Sequence, residues 1–384
     1  MSANHLTGIA FVGCGFVADF YRTCLASHAA SLKLVGVFDR DPERLKAFAK
    51  CWGDRTYALL PDLLADPDLD IVVNLTSVES HADVSAAVIA AGKHLYTEKP
   101  LALTTAQAEA LRAAARGAGV RVAAAPCNLL GEAAQTLWAA IRAGRIGRPR
   151  LIYAELDDGM VHLAAYRQWI SRSGRPWPAR DEFAVGCTFE HAGYAIGALA
   201  AMFGPVRRVA AFAQVMIADK KTEPPLENPA PDFSVGVLSF DGGIVARLTN
   251  SIVAPYDHRL RVIGEEGVLE MREPWDFACP IHLRRPATSR LARLAERRFG
   301  GLPAERLSPA RQRPGPRGQP RMDFMRGVAE LADAIREGRR CRLDEDFAVH
   351  VTEVTERLQY PERFAGALDV RSAFAPIAPM DWAR

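Results

Sequence analysis

The sequence predicts an α/β Rossmann domain with a doubly wound parallel sheet, followed by an α+β domain with an open, mostly antiparallel sheet. Short apolar strands alternate with helical segments over the first third of the chain, and the first strand ends in the glycine-rich turn "GCGFVA". Segments with an alternating apolar pattern begin at "PRLIYAELDD". A single core stops growing at about 250–300 residues, so this chain of 384 residues is expected to form two domains, 1–125 and 126–384.

The glycine-rich turn is typical of a loop that binds a dinucleotide. The strand "GIAFV" leads into Gly13, which permits a tight turn, and Gly15, which lets the backbone approach a pyrophosphate. Phe16 and Val17 are expected to line the cofactor, and small Ala18 allows the helix to pack closely on the strand. The phosphates would lie at the helix N-terminus, where free N–H groups favour anions.

The second strand, "LKLVGVFDR", ends in a pair of charged residues that bear on the choice of cofactor. Asp39 can accept hydrogen bonds from the ribose diol of NAD and would repel a 2′-phosphate, whereas the guanidinium of Arg40 can serve that phosphate. NAD(H) is therefore favoured and NADP(H) remains possible. Alternatively, the pair is a plain turn into the helix that "DPER" begins.

Polar residues follow the later strands of this domain, "DIVVNLTS" and "HLYTEKP". In such sheets ligands bind at the carboxyl ends of the strands, where Asn74, Thr76, Glu98 and Lys99 fall. The ammonium of Lys99 could stabilise the negative charge on a carbinol oxygen during hydride transfer. Partial burial would lower the pKa of Lys99 and let it share in proton transfer. The alternative is a surface lysine paired with Glu98.

The order of "VGCGFVA", Asp39, "NLTSVESH", "AGKHLYTEKPLALT" and "RIGRP" resembles the Gfo/Idh/MocA family of glucose-fructose oxidoreductase and inositol dehydrogenase. The resemblance implies that Lys99 is the catalytic lysine and that Glu98 anchors the nicotinamide half. It places Gly13, Gly15 and Ala18 at the pyrophosphate, Asp39 and Arg40 at the adenosine ribose, and Asn74, Thr76 and His81 beside the nicotinamide. His81 could instead be a helix cap or a buried imidazole with its hydrogen bonds satisfied.

The second domain departs from the family where the proton-transfer residue is expected. The family pattern is Asp-x-Gly-x-His, but alignment on Gly193 puts His191 at the Asp position and Ala195 at the His position. His191 is the favoured proton-transfer residue, because an ordinary imidazole pKa of about 6.5 suits that role. Tyr194 is second and would need its pKa of about 10 lowered by Lys99, while Glu190 would orient the pair. Alternatively, all three side chains cap the helix.

The loop "AAYRQWISRSGRPWPARDEF" supplies the candidate substrate residues. Trp169 and Trp177 could stack on a sugar ring, and Arg180 and Glu182 could bind its hydroxyls. The alternative is that Trp177, which lies between two prolines, pins the loop.

Composition narrows the class of protein. A net charge of +3 argues against a general nucleic-acid binder, although residues 284–321 form an Arg/Pro-rich insertion. That insertion is expected to be solvated, with a polyanion or partner contact as the alternative. The seven scattered cysteines indicate reduced thiols in a cytoplasmic protein and no metal site. No membrane-spanning segment or signal sequence is expected.

Together these features predict an NAD(P)-dependent dehydrogenase or reductase that acts on a secondary alcohol or ketone of a sugar, cyclitol or related polyol. Two alternatives remain open: a redox-neutral NAD-dependent lyase or glycosidase of the same family, and a catalytically inactive cofactor-binding regulatory protein, for which Ala195 is the motivating residue. The resemblance also implies a homo-dimer or homo-tetramer that associates through the outer face of the second sheet.

Overall fold

The structure, a computed structural model, describes residues 6–299, 304–309, 321–364, 366 and 368–384. Its first domain contains a five-stranded parallel sheet with strand order β2-β1-β3-β4-β5. The elements in chain order are β1 (Thr7–Val12), α1 (Ala18–Leu25), β2 (Leu32–Phe38), α2 (Pro42–Trp52), α3 (Leu60–Leu64), β3 (Ile71–Asn74), α4 (His81–Ala90), β4 (His94–Thr97), α5 (Thr105–Ala118) and β5 (Val122–Ala124). The predicted parallel α/β domain is confirmed.

Local sequence signals explain how these helices begin. At α2 the Asp41 carboxylate accepts hydrogen bonds from the N–H groups of Glu43 and Arg44, and Pro42 occupies the first turn. At α5 the Thr104 hydroxyl accepts from the N–H of Gln107. The strands are buried on both faces, because α1 and α2 cover one side of the sheet while α4 and α5 cover the other.

The second domain is built on an eight-stranded sheet with order β13-β12-β11-β10-β6-β9-β8-β7. All neighbouring strands are antiparallel except β6 and β9, so the predicted mostly antiparallel sheet is confirmed. Its elements are α6 (Glu132–Arg142), β6 (Pro149–Asp157), α7 (Ala179–Val185), a π-turn (Thr188–Ala192), α8 (Gly193–Phe203), β7 (Arg208–Gln214), β8 (Phe233–Ser239), β9 (Val245–Ser251), β10 (Leu260–Gly264), β11 (Val268–Met271), β12 (Ile281–Arg284), α9 (Arg290–Phe299), β13 (Glu305–Leu307), α10 (Arg326–Arg336) and α11 (Glu345–Gln359).

The two faces of this sheet differ. Helices α6, α8 and α11 bury one face in a common apolar core. On the opposite face Phe212 and Val237 are 53% and 48% exposed. The C-terminal helices also reach the first domain, because α10 contacts β4 and β5, and α11 contacts α5 and β5. The cleft between the two sheets is therefore braced by helices that come late in the chain.

The Arg/Pro-rich segment is partly regular. It contributes α9, whose Leu291 and Leu294 are 79% and 63% exposed, and the edge strand β13, which pairs with β12. Residues 300–303 and 310–320 of this segment lie outside the described residues. None of the helices in the described ranges has the length and apolar run needed to cross a bilayer.

Candidate active site

A cavity of about 1270 Å³ lies between the carboxyl ends of the parallel strands and the second sheet. Typical ligand sites occupy about 300–1,000 Å³, so this cavity has room for a dinucleotide together with a small substrate. Of the residues that the sequence predicts for the site, only Asn74 and Ala18 do not line it.

The glycine-rich loop has the backbone shape that a pyrophosphate site requires. Gly13 has φ +102°, and a Cβ there would lie 2.6 Å from the backbone of Leu75, so no other residue fits. A Cβ on Gly15 would meet nothing within 4 Å, since this position faces the open cavity. Phe16 and Val17 line the same wall. Ala18 is fully buried and packs α1 against the sheet.

The Asp39 carboxylate is held in place by two backbone groups. It accepts hydrogen bonds from the N–H of Cys14 at 2.7 Å and from the N–H of Asp41 at 2.8 Å. Asp39 is 8% exposed and lines the cavity beside Arg40 and Arg44. The carboxylate thus joins the glycine-rich loop to the start of α2 while one edge stays open to a ligand.

Asn74 and His81 are buried side chains that support the cavity wall, and of the two only His81 lines the cavity. The amide of Asn74 donates to the His81 carbonyl and the Ser85 hydroxyl, and its oxygen accepts from Thr76 Oγ1 at 2.7 Å. His81 is 1% exposed, and its ring nitrogens lie 2.9 Å from the Pro100 carbonyl and 3.0 Å from the Thr76 carbonyl. Burial lowers the pKa of His81. These contacts favour the interpretation of a buried imidazole, which when neutral donates to one of the two carbonyls. Thr76 carries the polar surface.

Glu98 and Lys99 leave the end of β4 with fixed orientations. Glu98 accepts a hydrogen bond from the Tyr21 hydroxyl at 2.6 Å and from the N–H of Lys99 at 3.0 Å. The ammonium of Lys99 instead donates to Glu190 in the π-turn. The alternative of a surface lysine paired with the Glu98 side chain is therefore wrong.

The charge state of Lys99 differs from the expectation. Burial alone would lower the pKa of Lys99, but the Glu190 carboxylate and the other acidic groups around the ammonium together outweigh burial and hold that pKa above its ordinary value. Lys99 is thus a permanent cation that can donate a hydrogen bond. The predicted lowering of its pKa is wrong, because its partner is a buried carboxylate.

Glu190, His191 and Tyr194 all line the cavity, although only Tyr194 belongs to a regular helix. Glu190 and His191 lie in the π-turn, which runs directly into α8, and Tyr194 is the second residue of α8. None of the three side chains caps a helix end. The helix-cap alternative is wrong. The turn follows Gly186, whose φ of +98° ends α7. A Cβ at this position would lie 2.8 Å from the side-chain amide of Gln359.

Burial sets the proton affinities of the two candidate proton-transfer groups in opposite directions. Burial, with a contribution from Lys99, lowers the pKa of His191 despite the attraction of Asp158. Burial raises the pKa of Tyr194 well above its ordinary value, and the Lys99 ammonium does not offset this. His191 is therefore neutral and Tyr194 protonated near neutral pH.

The carboxyl group of Glu182 lies beside the Lys99–Glu190 ion pair. Burial and the neighbouring Glu190 carboxylate raise the pKa of Glu182 well above its ordinary value. Burial alone would raise the pKa of Glu190 in the same way, but Lys99 and a hydrogen bond from Glu182 bring it below its ordinary value. Glu182 therefore carries a proton, and Glu190 is the ionised partner of Lys99.

The loop that precedes the π-turn forms the outer wall of the cavity. Trp169 and Trp177 make an edge contact with ring centroids 5.1 Å apart, and Trp177 also packs on Tyr166 and Phe183. Trp177 thus both pins the loop and lines the cavity. The guanidinium of Arg180 donates to the Pro224 and Pro225 carbonyls while lining the same wall.

A cluster in the second domain is absent from the residues that the sequence predicts for the site. Asp158, Tyr256, His258, Glu273 and Trp275 meet at the ends of the interior strands β6, β10 and β11. The ring of Trp275 contacts His191, Tyr194 and His258. The β10–β11 hairpin carries a signal for part of this cluster. Its register pairs Leu260 with Met271, and continuing it outward sets His258 opposite Glu273.

Comparison with known proteins identifies the family. The model of the Gfo/Idh/MocA oxidoreductase family with an NAD-binding Rossmann fold matches residues 7–125, and the model of the GFO/IDH/MocA C-terminal domain matches residues 134–270. The chain belongs to the Gfo/Idh/MocA family.

Several Gfo/Idh/MocA relatives are enzymes of known activity. The chain is 24% identical to trans-1,2-dihydrobenzene-1,2-diol dehydrogenase of Oryctolagus cuniculus over 71% of this chain and 77% of that protein. It is 29% identical to D-apiose dehydrogenase of Paraburkholderia graminis over 72% of this chain and 69% of that protein. The fold matches that of aldose-aldose oxidoreductase from Caulobacter crescentus complexed with glycerol, with TM-score 0.73, 20% identity and coverage of 95% and 100%.

The structure locates the residues of the stretch where the Gfo/Idh/MocA pattern is expected. Ala195, which the alignment on Gly193 predicts at the position of the family histidine, is buried in the core of the second domain. Tyr194 and His191 instead face the cavity. This member of the family is an oxidoreductase in which Glu190, His191 and Tyr194 are among the polar residues that line the cavity with Lys99.

Proposed function

We propose that this protein is a dehydrogenase that transfers a hydride between a nicotinamide cofactor and a secondary alcohol or ketone of a sugar, cyclitol or related polyol. The observation that carries the proposal is the convergence of three groups on one cavity. The Lys99 ammonium, the neutral His191 imidazole and the protonated Tyr194 hydroxyl line the cavity that the glycine-rich loop opens.

The residues present fit a dinucleotide. Gly15 leaves space where a side chain would block a pyrophosphate, and the N-terminus of α1 favours an anion there. Asp39 supports NAD(H) as the preferred cofactor, because its carboxylate faces the cavity and would repel a 2′-phosphate. Arg40 and Arg44 beside it leave NADP(H) as the second possibility.

The bound nicotinamide would supply the hydride acceptor for alcohol oxidation, and the side chains would handle the oxygen and its proton. The hydroxyl proton would pass to His191 Nε2 as the hydride leaves the carbinol carbon. Lys99 would stabilise the oxygen by donating a hydrogen bond, and Glu190 would hold the ammonium in place. The products would be a ketone, the reduced cofactor and a protonated imidazole, and the reverse sequence would reduce the ketone.

The side chains that line the cavity support an uncharged, polyhydroxylated substrate. Carboxylates at Asp158, Glu190 and Glu273 can accept hydrogen bonds from hydroxyls, and Trp169 and Trp275 offer flat apolar faces for a sugar ring. The relatives named above act, by their names, on a diol, on D-apiose and on aldoses. Each of these compounds presents a carbinol beside another oxygen-bearing carbon.

The test is an absorbance assay of reduced nicotinamide with a panel of cyclitols, aldoses and cyclic diols, using NAD and NADP in parallel. We expect turnover with at least one compound and a higher kcat/KM for NAD. Product formation without net absorbance change would instead indicate a redox-neutral reaction. Tight cofactor binding without any product, unaltered in Lys99→Ala, would indicate a regulatory protein and overturn the proposal.

The exposed face of the second sheet supports association of identical chains into a dimer or tetramer. Its apolar side chains include Phe212 and Val237, which a partner copy could cover. Light scattering should give a multiple of the 41.9 kDa chain mass. A wild-type protein that is monomeric at high concentration would contradict this proposal.

A further inference from the structure

A buried histidine lies behind the proposed proton acceptor. The His258 side chain is 0% exposed, and its Nδ1 lies 3.3 Å from Glu273 Oε1 and 2.8 Å from the Tyr256 hydroxyl. Its Nε2 makes no hydrogen bond to a described residue and lies 3.5 Å from Asp158 Oδ1, within ion-pair distance. Burial alone would lower the pKa of His258, but the two carboxylates outweigh burial and raise it to about 9. His258 is therefore an imidazolium at neutral pH.

Asp158 stands between two histidines. Its Oδ1 faces His258 at 3.5 Å and its Oδ2 faces His191 Nε2 at 3.7 Å. The backbone N–H of Asp158 is fixed by the Ser251 carbonyl at 2.8 Å, at the end of β6. Burial would raise the pKa of Asp158, but both histidines and Lys99 bring it below its ordinary value. The carboxylate is therefore ionised and attracted from both sides.

The position of Asp158 determines whether a ring nitrogen of His191 is free to take a proton. The Nδ1 of His191 is buried without a hydrogen-bond partner, so Nε2 is the nitrogen available to a substrate. The 3.7 Å between Nε2 and Asp158 is longer than a hydrogen bond. A slightly closer approach of Asp158 would form an ion pair that occupies Nε2 and favours its protonated form.

We propose that His258 is a positioning residue that holds the Asp158 carboxylate back from His191, leaving His191 Nε2 free to take the substrate proton. The proposal rests on the proposed function, because it takes His191 as the proton acceptor. Removal of the imidazolium has two effects in the same direction. It removes a repulsive positive charge near His191, and it releases Asp158 to pair with His191.

Other ionisable groups also face the two histidines. Around His258 they are Asp157, Asp158, Tyr256 and Glu273, and around His191 they are Lys99, Asp158, Glu190 and His258. Lys99 and Glu190 remain in place in every variant below, so their effect on His191 is common to all of them. The balance at Asp158 is the part that a change at His258 alters.

The experiment compares the pH profiles of kcat/KM for alcohol oxidation in the wild type, His258→Gln and Asp158→Asn. His258→Gln is expected to move the acidic limb to higher pH and to lower kcat/KM near neutral pH about tenfold, with cofactor affinity unchanged. Asp158→Asn removes the negative charge and is expected to move the limb to lower pH. His282→Gln, on β12 of the same sheet, is the matched control and should leave the profile unchanged.

A folded His258→Gln protein with the wild-type profile, or with its limb moved to lower pH, would overturn the proposal. If His258→Gln does not fold, Glu273→Gln replaces it in the experiment. This change removes one of the two carboxylates that keep His258 protonated. It is expected to move the limb in the same direction by less, and an unmoved limb would then count against the proposal.

Failure of the proposed function can be told apart from failure of this inference. NMR titration of the imidazole resonances needs no turnover. The inference requires that His258 stay protonated through neutral pH and that the pKa of His191 rise in His258→Gln. A wild type without hydride transfer that shows both properties would contradict the proposed function alone, and absence of either property would contradict the inference.

Discussion

The end of β4 and the strand ends of the second sheet both line the same cavity, and the two sides are built in different ways. At the end of β4, consecutive residues deliver Glu98 and Lys99, and the parallel register fixes their direction. At the strand ends of the second sheet, four separate segments supply the side chains: Asp158, His191, His258 and Glu273. The first side is specified locally, whereas the second exists only once the whole sheet has formed.

The largest expected effect tests the locally specified side. Lys99→Ala removes the cation that stabilises the substrate oxygen, so kcat/KM should fall about 10³-fold. Cofactor affinity, measured by quenching of protein fluorescence, should change little. Lys46→Ala, at an exposed position in α2, is the matched control. Near-normal activity of Lys99→Ala would mean that the catalytic cation lies elsewhere.

The second effect tests the opposite side. His191→Gln keeps a polar group but removes the proton acceptor, so kcat/KM for oxidation should fall about 10²-fold. The acidic limb of the pH profile should disappear, since the limb reports protonation of His191. A limb that persists in the variant would assign the proton transfer to another group, with Tyr194 the next to substitute by Phe.

A smaller effect concerns the cofactor end of the first domain. Asp39→Ala removes the carboxylate that would repel a 2′-phosphate and frees the N–H groups of Cys14 and Asp41. The ratio of kcat/KM for NAD to that for NADP should fall about tenfold, or about 1.4 kcal/mol. An unchanged ratio would show that Asp39 only braces the loop.

The smallest effect on activity is expected at His81, which supports the wall. His81→Gln leaves a buried carbonyl of Thr76 or Pro100 unpaired, which should lower the free energy of unfolding by about 1–3 kcal/mol. The kcat should change little, because the side chain does not reach the reacting groups. A loss of kcat comparable to that of His191→Gln would place His81 among the catalytic residues instead.

His81 also gives stability a pH dependence with a definite sign. Because burial lowers its pKa in the folded protein, the unfolded chain binds the proton first, and stability falls as the pH drops below about 6.5. Urea unfolding at about pH 7.5 and about pH 5.5 should show a smaller loss for His81→Gln than for the wild type.

The contrast between the two sides also explains what the sequence could predict. The Rossmann domain, the glycine-rich loop and the position of Lys99 follow from short-range patterns, and the fold and the family are confirmed. The partner of the Lys99 ammonium and the charge of that lysine depend on Glu190, which is distant in sequence. The proximity of Asp158 to His258 depends on the pairing of β6 with β10, which apolar alternation does not define.

The β10–β11 hairpin gives a turn remote from the cavity control over the cavity's chemistry. Side chains in a strand change face with each residue, so a single insertion or deletion between Gly264 and Gly267 that the turn does not absorb would shift the pairing of every later position in β11. Glu273 would then no longer stand opposite His258. The length of this turn is thereby a heritable determinant of proton affinity, and family members that differ there are expected to run the same hydride chemistry at a different optimal pH.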